Sequence, residues 1–276
     1  MIKFEDVVTP SPEQWKATIM GARNPLNSWN RSDSKFHEDI DFDPDDYPCG
    51  FKLGPNDYDL LKRLRNAGTA DHRKFMRMLP VMVTITAPLY WWKEFDTYKV
   101  GTVANSCSTM HKIADKEFTL EDFSHEHLIG DNALFIHNKG DFRCINNLQF
   151  LMWTIDFLNE NRRLYLETSD ELKKAQESYI VTAPDAEEKA LKIRELQKNK
   201  KTYWWQMIQL LPSSYNQKRT VMCNYETLTN IYKSRKYHKM DEWREHETDW
   251  EFGFCDWIKT LPYAELITVE KGESKK

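Results

Sequence analysis

The sequence lacks the signatures of several common classes of protein. It has no Walker loop, no dinucleotide-binding GxGxxG, no GxSxG nucleophile elbow and no internal repeat. A formal net charge of -4 and a pI near 6.1 give no basic footprint for duplex nucleic acid or an anionic membrane. The most apolar run, residues 79–92, is too short and too often interrupted by threonine to cross a bilayer. We therefore expect neither duplex nucleic acid nor a membrane as a partner.

Cysteines are few and carry no pairing signature. The five cysteines are scattered, and none falls in a CxxC spacing; they are Cys49, Cys107, Cys144, Cys223 and Cys255. An odd number without metal-ligand spacing fits reduced thiols in a cytoplasm and gives no support for a zinc site. The sequence also opens without the pattern of a signal peptide. We therefore expect a cytoplasmic protein.

Metal-binding patterns are incomplete as well. Aspartates repeat at every second residue from Asp39 to Asp43 within the acidic stretch 32–50. Neither the glycine nor the closing glutamate of an EF-hand follows them. His125 and His127 flank a glutamate and lack the i, i+4 spacing that places two imidazoles on one helix face. A solvated loop is the better interpretation of the acidic stretch, and no metal is predicted.

The sequence does contain ample material for a core. Its 276 residues are 13% aromatic and 30% charged, which predicts a globular chain of one large domain or two with a polar exterior. Alternating Val81, Val83 and Ile85 predict a half-buried strand that ends at Ala87-Pro88. The charged stretch 169–201 is predicted to form two solvated helical segments, which make an inserted arm. Other helices are predicted over 11–21, 57–66, 90–99, 146–167 and 202–211, with a closing amphipathic helix that carries Trp243, Trp250, Phe254, Trp257 and Ile258.

One stretch, residues 211–235, combines several boundary signals. It reads LPSSYNQKRTVMCNYETLTNIYKSR, and Pro212 predicts that a helix ends just before it. After a short β-prone run, Asn224 stands where a helix N-cap is expected, with Glu226 in the first turn to suit the helix dipole. Arg235 follows about three turns later. Such a helix can hold an anionic ligand along its length, but a capped amphipathic helix with solvated polar residues is the simpler interpretation.

A second stretch, residues 88–113, is rich in small polar side chains. It reads PLYWWKEFDTYKVGTVANSCSTMHKI. Serine, threonine and asparagine offer many hydrogen-bonding groups per unit volume and permit a ligand to approach closely, as a phosphate or base pocket requires. A surface loop is the commoner meaning of the same composition.

The spacing of Leu211-Pro212, Asn224, Leu228, Asn230 and Arg235 resembles the C-terminal signature of the flavin-dependent thymidylate synthases. The resemblance extends to two histidines. His72 lies at the family's distance before the Ala-Pro that ends the strand, and His238 is within one residue of a family histidine near the flavin. Counted from the same Ala-Pro, the second stretch falls where the family has its Arg-His-Arg motif.

The resemblance implies a fold, an assembly and a reaction. The fold would be a single α/β (α+β) domain over residues 1–276, with a central and mostly antiparallel sheet flanked by helices and an added helical arm. The assembly would be a homotetramer with FAD at the subunit interfaces. The reaction would be the reductive methylation of the pyrimidine nucleotide dUMP to dTMP, with methylenetetrahydrofolate as carbon donor and NADPH as reductant. In such chemistry the cofactor performs the difficult steps and the protein positions the substrate.

The resemblance also implies roles for individual residues. The catalytic set would be Ser106, Ser108 and Arg235. The substrate-binding set would be the same three residues together with Glu94. The cofactor-binding set would be His72, Tyr98, Lys99, Asn224, Asn230 and His238.

The sequence departs from the family pattern at its cations. Thr97, Tyr98 and Lys99 replace Arg-His-Arg, and Ile208 stands where another arginine is expected. The terminal arginine of the motif is also absent. A phosphate without two or three charge-assisted bonds of about 1.5–3 kcal/mol each would bind poorly. The candidates to replace the missing cations are Arg73, Arg77, Lys93, Arg219 and His111.

Two further interpretations follow from these departures. The first is a flavin enzyme that acts on another pyrimidine nucleotide, for example a hydroxymethylase. Glu94 replaces the family's glutamine, and a carboxylate that only accepts hydrogen bonds would suit a base that carries an amino group. The second is a non-catalytic relative that keeps the fold for nucleotide or protein binding.

Overall fold

The fold consists of two compact units, which we call the helical unit and the sheet unit. The helical unit comprises Ala87–Tyr90 and Cys107–Gln217, and the sheet unit comprises Ile2–Thr86, Trp91–Ser106 and Lys218–Lys276. The computed structural model describes residues 2–39, 50–67, 69, 71–130, 134–138, 141–180, 184–248 and 251–268, with side chains for all of these except 134–138 and 141–145.

Strands and helices are interspersed along the described chain. The strands are β1 Lys3–Val8, β2 Lys35–Phe36, β3 Phe51–Lys52, β4 Pro80–Pro88, β5 Val103–Ser106, β6 Leu134–Asn138, β7 Asp141–Ile145 and β8 Asn216–Asn224. The helices are α1 Pro12–Arg23, α2 Pro55–Asn66, α3 Leu89–Phe95, α4 Thr109–Lys112, α5 Asn147–Glu177, α6 Ala186–Leu210, α7 Tyr225–Arg235, α8 Phe254–Lys259 and α9 Glu265–Thr268. Short 3₁₀ helices occupy Asn24–Leu26, Trp29–Arg31, His72–Met78 and Leu120–Asp122.

The central sheet has four strands in the order β1-β4-β8-β5. The pairs β1–β4 and β8–β5 are antiparallel. The amide of Tyr225 bonds to the carbonyl of Leu79, while Thr84 faces Thr220 across a 3.0 Å hydroxyl contact. Residue numbers therefore rise along β4 as they fall along β8, so this pair is antiparallel too. The predicted antiparallel sheet flanked by helices is confirmed.

The two faces of the sheet differ in chemistry. On one face the alternating side chains of β4, namely Val81, Val83 and Ile85, are buried as the period-two pattern predicts. On the other face an apolar row crosses all four strands, because Val8 pairs with Met82 and Val103 pairs with Met222. These four side chains, which we call the apolar row, are 57%, 45%, 58% and 37% exposed in the order Val8, Met82, Val103 and Met222.

Aromatic side chains dominate the core of the sheet unit. The rings of Trp91 and Trp243 stack with centroids 4.4 Å apart, and Phe254 packs against both. Trp15 stacks on Phe51 at 5.0 Å. Offset and edge-to-face aromatic pairs contribute about 0.5–1.5 kcal/mol beyond the area they bury. The predicted closing helix is wrong at Trp243, which lies in a turn; among the described residues of that segment the helix spans Phe254–Lys259, and Trp250 lies outside the described residues.

The helical unit is built on the hairpin of α5 and α6. Its core includes Leu151, Ile155 and Leu158 of α5 with Met207 of α6. The predicted helices 146–167 and 202–211 are each continuous with the predicted arm, so the boundaries predicted at residues 167 and 202 are wrong. The buried stripe continues through Thr168 and Leu172, which keeps α5 helical to Glu177. The arm itself is helical, as predicted.

Local capping signals locate the ends of several helices. Ser11 and Gln14 form a reciprocal capping box at the start of α1, with Pro12 in its first turn. α6 ends at Leu210, immediately before the predicted Leu-Pro boundary. Across the part of the chain that the structure describes, no helix is both long and apolar enough to cross a membrane. Within those same ranges, no group of three His, Cys, Asp or Glu side chains is placed to hold a metal ion.

Candidate functional site

Three of the predicted site residues meet at the end of α7. Arg235 is the last residue of this helix, and its Nε donates to the Tyr98 hydroxyl at 2.7 Å. One of its terminal nitrogens donates to a carboxylate oxygen of Glu94. The side chains of Arg235 and Glu94 are 17% and 35% exposed, so the pair is partly exposed at the surface of the unit. We call Arg235, Glu94 and Tyr98 the Arg235 cluster.

Aromatic rings surround the guanidinium of Arg235. Its central carbon lies 5.5 Å from the ring centroids of both Tyr98 and Trp243, within the range of a cation–π contact. Trp243 is fully buried and is held in turn by its stack on Trp91. The orientation of the guanidinium is therefore fixed from two sides, by hydrogen bonds and by ring faces.

His238 lies on the edge of the same group. Its ring meets Trp243 edge-to-face with centroids 6.4 Å apart, and its Nδ1 accepts from the amide of Met240 at 3.2 Å. Burial and the neighbouring charge of Arg235 lower the pKa of His238 below its ordinary value. The imidazole is consequently neutral at physiological pH and can act as a polar neighbour without adding a second positive charge.

Asn224 has a structural role at the other end of α7. Its Oδ1 accepts from the amide of Thr227 at 3.0 Å, the N-cap bond that the sequence predicted. The Thr227 hydroxyl bonds to the carbonyl of Val100 and ties the loop after Tyr98 to the helix. Gly101 has φ of 77°, and a Cβ there would lie 2.7 Å from the Thr227 hydroxyl and 2.9 Å from the Asn224 amide nitrogen. Only glycine fits this close approach.

The remaining predicted site residues do not join the Arg235 cluster. Four of them are exposed on separate elements of the sheet unit. His72 lies in the 3₁₀ helix His72–Met78, Lys99 in the loop after α3, Asn230 on α7 and Ser106 on the edge strand β5. Ser108 belongs to the helical unit, where its hydroxyl accepts from the amide of His111 and caps α4.

Two of the candidate replacement cations already have acidic partners. Arg77 pairs with Glu226 in the first turn of α7. Arg219 donates to Asp96 at 2.8 Å, and its guanidinium lies 4.3 Å from the centroid of Trp92. Lys93 is exposed on α3, and His111 lies in the last turn of α4.

Arg73 differs from these two arginines. Its Nε is buried and has no hydrogen-bond partner. A buried donor without an acceptor is unusual in a native protein and asks for an explanation, such as a bound ion or water.

Sequence reasoning missed the residues that hold the cluster in place. Trp243 was predicted to lie on a helix, although it packs against Arg235 from a turn eight residues further along the chain.

The sequence analysis also missed a buried ion pair away from the Arg235 cluster, that of Arg23 and Asp57. Arg23 closes a helix as a basic residue often does, and nothing in the sequence connects it with an aspartate 34 positions away.

Solved structures resemble this chain in fold, whereas the sequence comparisons found no match. No protein-family model matches the chain, and no curated protein matches it in sequence. Thymidylate synthase X (ThyX) from Helicobacter pylori, solved with FAD and dUMP, matches with a TM-score of 0.50 and 12% identity over 98% of this chain and 96% of that one.

The UMP/dUMP methylase PolB from Streptomyces cacaoi, solved with 5-Br dUMP, matches with a TM-score of 0.43 and 13% identity over 97% of this chain and 94% of that one. The likeness to ThyX covers nearly the whole of both chains and carries the comparison. The chain therefore has a ThyX-like fold, in which an antiparallel sheet is flanked by helices.

Proposed function

We propose that this chain is a flavin-dependent enzyme that methylates a pyrimidine nucleotide, dUMP to dTMP. The observation that carries the proposal is the Arg235 cluster, a fixed and partly exposed guanidinium–carboxylate pair on a ThyX-like fold. The solved ThyX contains FAD and dUMP.

The chemistry of the pair suits the edge of a pyrimidine base. Uracil presents one N–H donor between two carbonyl acceptors, and a carboxylate beside a guanidinium offers the complementary acceptor and donors. Glu94 would accept from the base N–H, while Arg235 would donate to a carbonyl. Because Tyr98 and Trp243 already orient the guanidinium, little side-chain entropy is lost when the base binds. The cluster would thus position the base, and the exposed hydroxyl of Ser106 would serve the rest of the nucleotide.

The residues present also fit an anionic cofactor. A buried guanidinium nitrogen without a partner lies in Arg73, directly after His72. His72, Lys99, Asn230 and His238 would contact the cofactor, and Asn224 would contribute its amide nitrogen, since its oxygen caps α7. When bound, FAD supplies the redox chemistry that converts the one-carbon unit of methylenetetrahydrofolate to a methyl group at the expense of NADPH.

The visible absorption spectrum of the purified protein tests the proposal. Added FAD should give a bound-flavin spectrum, and dUMP should then perturb it in a saturable manner. A perturbation of this kind would be followed by turnover assays with methylenetetrahydrofolate and NADPH. If the protein binds neither FAD nor dUMP, the proposal is overturned, and a non-catalytic relative that keeps the fold is favoured.

A second candidate is the same flavin chemistry on a cytosine nucleotide, for example hydroxymethylation. Glu94 favours it, because the carboxylate is a pure acceptor and the 4-amino group of cytosine is a pure donor. The same titration with dCMP separates the two candidates. A flavin spectrum that responds to dCMP at lower concentration than to dUMP selects the cytosine nucleotide, and the reverse order excludes it.

We further propose a homotetramer, one of whose interfaces is the face of the sheet that carries the apolar row. A second copy fits this face better than an unrelated partner does, because Glu5 and Lys218 on the same face, paired at 2.6 Å, provide both charges for a self-complementary contact. The solvated face of an antiparallel sheet is ordinarily polar, whereas the apolar row is exposed on this one.

Sedimentation equilibrium tests this interface. Met82→Lys should shift the protein toward smaller assemblies, since it places a charge in the centre of the apolar row. Met78→Lys is the matched control, because Met78 is an equally exposed methionine outside the sheet. A wild-type protein that sediments as a monomer, or a Met82→Lys protein that assembles like the wild type, would contradict the proposal.

A further inference from the structure

Two arginines of the sheet unit, on two helices that pack against each other, have no acidic partner among the described residues. Arg65 is in the last turn of α2, and Arg73 is in the 3₁₀ helix His72–Met78. Among the described residues neither takes part in a salt bridge, whereas Arg77, four residues further on, pairs with Glu226. We call Arg65 and Arg73 the arginine pair.

Arg65 is held in place by neutral groups alone. Its Nε donates to the carbonyl of Leu266 at 3.3 Å, and one terminal nitrogen donates to the carbonyl of Ile267 at 3.1 Å. The other terminal nitrogen donates to the side-chain oxygen of Asn66 at 3.0 Å. These bonds fix the guanidinium but leave its positive charge without a counter-charge.

Arg73 adds a second positive charge at the same place. The 3₁₀ helix that carries Arg73 packs against α2, which carries Arg65. Burial and the charge of Arg73 both lower the pKa of the Arg65 guanidinium. The Nε of Arg73 has lost its water without gaining a protein acceptor. Two like charges, one of them partly desolvated and unpaired, are costly unless something neutralises them.

We propose that the arginine pair binds the phosphate group of a ligand. A phosphate carries the charge that the pair lacks and accepts the planar, two-pronged donation that guanidinium groups provide. Arg65 is pre-oriented by its three bonds, so most of the ordering cost on binding falls on Arg73. In this arrangement Arg73 supplies one of the cations that the sequence lacks at residues 97–99.

The phosphate could belong to the cofactor of the proposed function or to a free phosphorylated ligand. The arginine pair itself does not rest on flavin chemistry, because its geometry and its missing counter-charge are independent of the Arg235 cluster. Inorganic pyrophosphate and FAD are therefore used as separate probes. A response to pyrophosphate without a response to FAD would retain the arginine pair as a phosphate site and reject the flavin enzyme.

The test compares the thermal stability and the ligand affinity of the wild type and Arg73→Met, with Lys74→Met as the control at an exposed neighbouring position. Without ligand, Arg73→Met should melt at or above the wild-type temperature, because it removes a like charge and an unsatisfied donor. With pyrophosphate, the wild type should be stabilised in a salt-sensitive way. Calorimetric titration should give Arg73→Met an affinity weakened about tenfold or more.

The two readouts distinguish a binding role from a structural one. If Arg73 served only to hold the fold, Arg73→Met would melt lower without ligand and would bind pyrophosphate with unchanged affinity, and the proposal would fail. It would fail equally if pyrophosphate and FAD both left the wild-type melting temperature and heat signal unchanged. Arg73→Lys should recover part of the affinity, since it restores the charge but not the planar geometry.

Discussion

Arg235→Gln should weaken the binding of the pyrimidine nucleotide about 10- to 100-fold, the loss expected when one or two hydrogen bonds to a charged group are removed. In the sheet unit Arg235 donates to Tyr98 and Glu94 at once, so its removal takes away a donor to the base and leaves the Glu94 carboxylate without its counter-charge. The measurement is the nucleotide titration of the flavin spectrum, from which an apparent Kd is obtained.

Two other variants make this result specific. Lys233→Gln removes a positive charge from the exposed face of the same helix and should leave the apparent Kd unchanged. Glu94→Gln keeps the shape of the carboxylate but adds a donor, so it should shift preference toward the uracil nucleotide over the cytosine nucleotide. If Arg235→Gln titrates like the wild type, the cluster does not bind the base, and the proposed function loses the observation that carries it.

Local signals in the sequence located much of the fold. Ser11 and Asn224 cap the helices that follow them, because an N-cap depends only on the next three residues. The strand through Val81, Val83 and Ile85 follows from alternation along one segment. Leu228 and Ile231 are buried on α7 as their helical spacing predicts.

Contacts between distant segments could not be predicted in the same way. Arg235 and Glu94 lie 141 positions apart, and no periodicity in either segment indicates that they pair. The family resemblance implies that Arg235 is a ligand-binding cation, whereas its pairing with Glu94 makes it one half of a donor–acceptor pair. In helix α5 the many charged residues of the second half predicted a solvated segment, although a buried stripe continues there through Thr168 and Leu172.

The cations illustrate how the structure sorts candidates that the sequence left equivalent. Arg73, Arg77 and Arg219 are all basic residues near predicted ligand positions, and composition does not rank them. Arg77 is paired with Glu226, and Arg219 with Asp96, so each would have to give up a partner to bind a phosphate. Arg73 alone of these three has a buried nitrogen that lacks an acceptor. The three arginines are thus ranked by their tertiary contacts, which patterns in a single sequence do not reveal.

The buried ion pair of Arg23 and Asp57 should have the largest effect on stability. The two side chains are 4% and 0% exposed and are joined by a 2.6 Å bond. Asp57 also accepts from both the amide and the hydroxyl of Ser34 and from the hydroxyl of Ser32. Replacing one partner of a buried pair leaves the other charge uncompensated, which costs about 3–5 kcal/mol. Asp57→Asn should therefore lower the free energy of unfolding, measured by urea denaturation, by about that amount.

The pH dependence of this loss provides a second check. Burial alone would raise the pKa of Asp57, but hydrogen bonds from Ser34, Ser32 and Arg23 and the charge of Arg23 outweigh it and hold the pKa below its ordinary value. A depressed carboxyl pKa stabilises the fold above the unfolded-state value of about 3.9 and ceases to do so as pH falls through the folded-state value. The difference between wild type and Asp57→Asn should thus be full at neutral pH and shrink below about pH 4. Asp59→Asn, an exposed position on the same helix, should show neither effect; a pH-independent difference for Asp57→Asn would mean that packing, not charge, sets the loss.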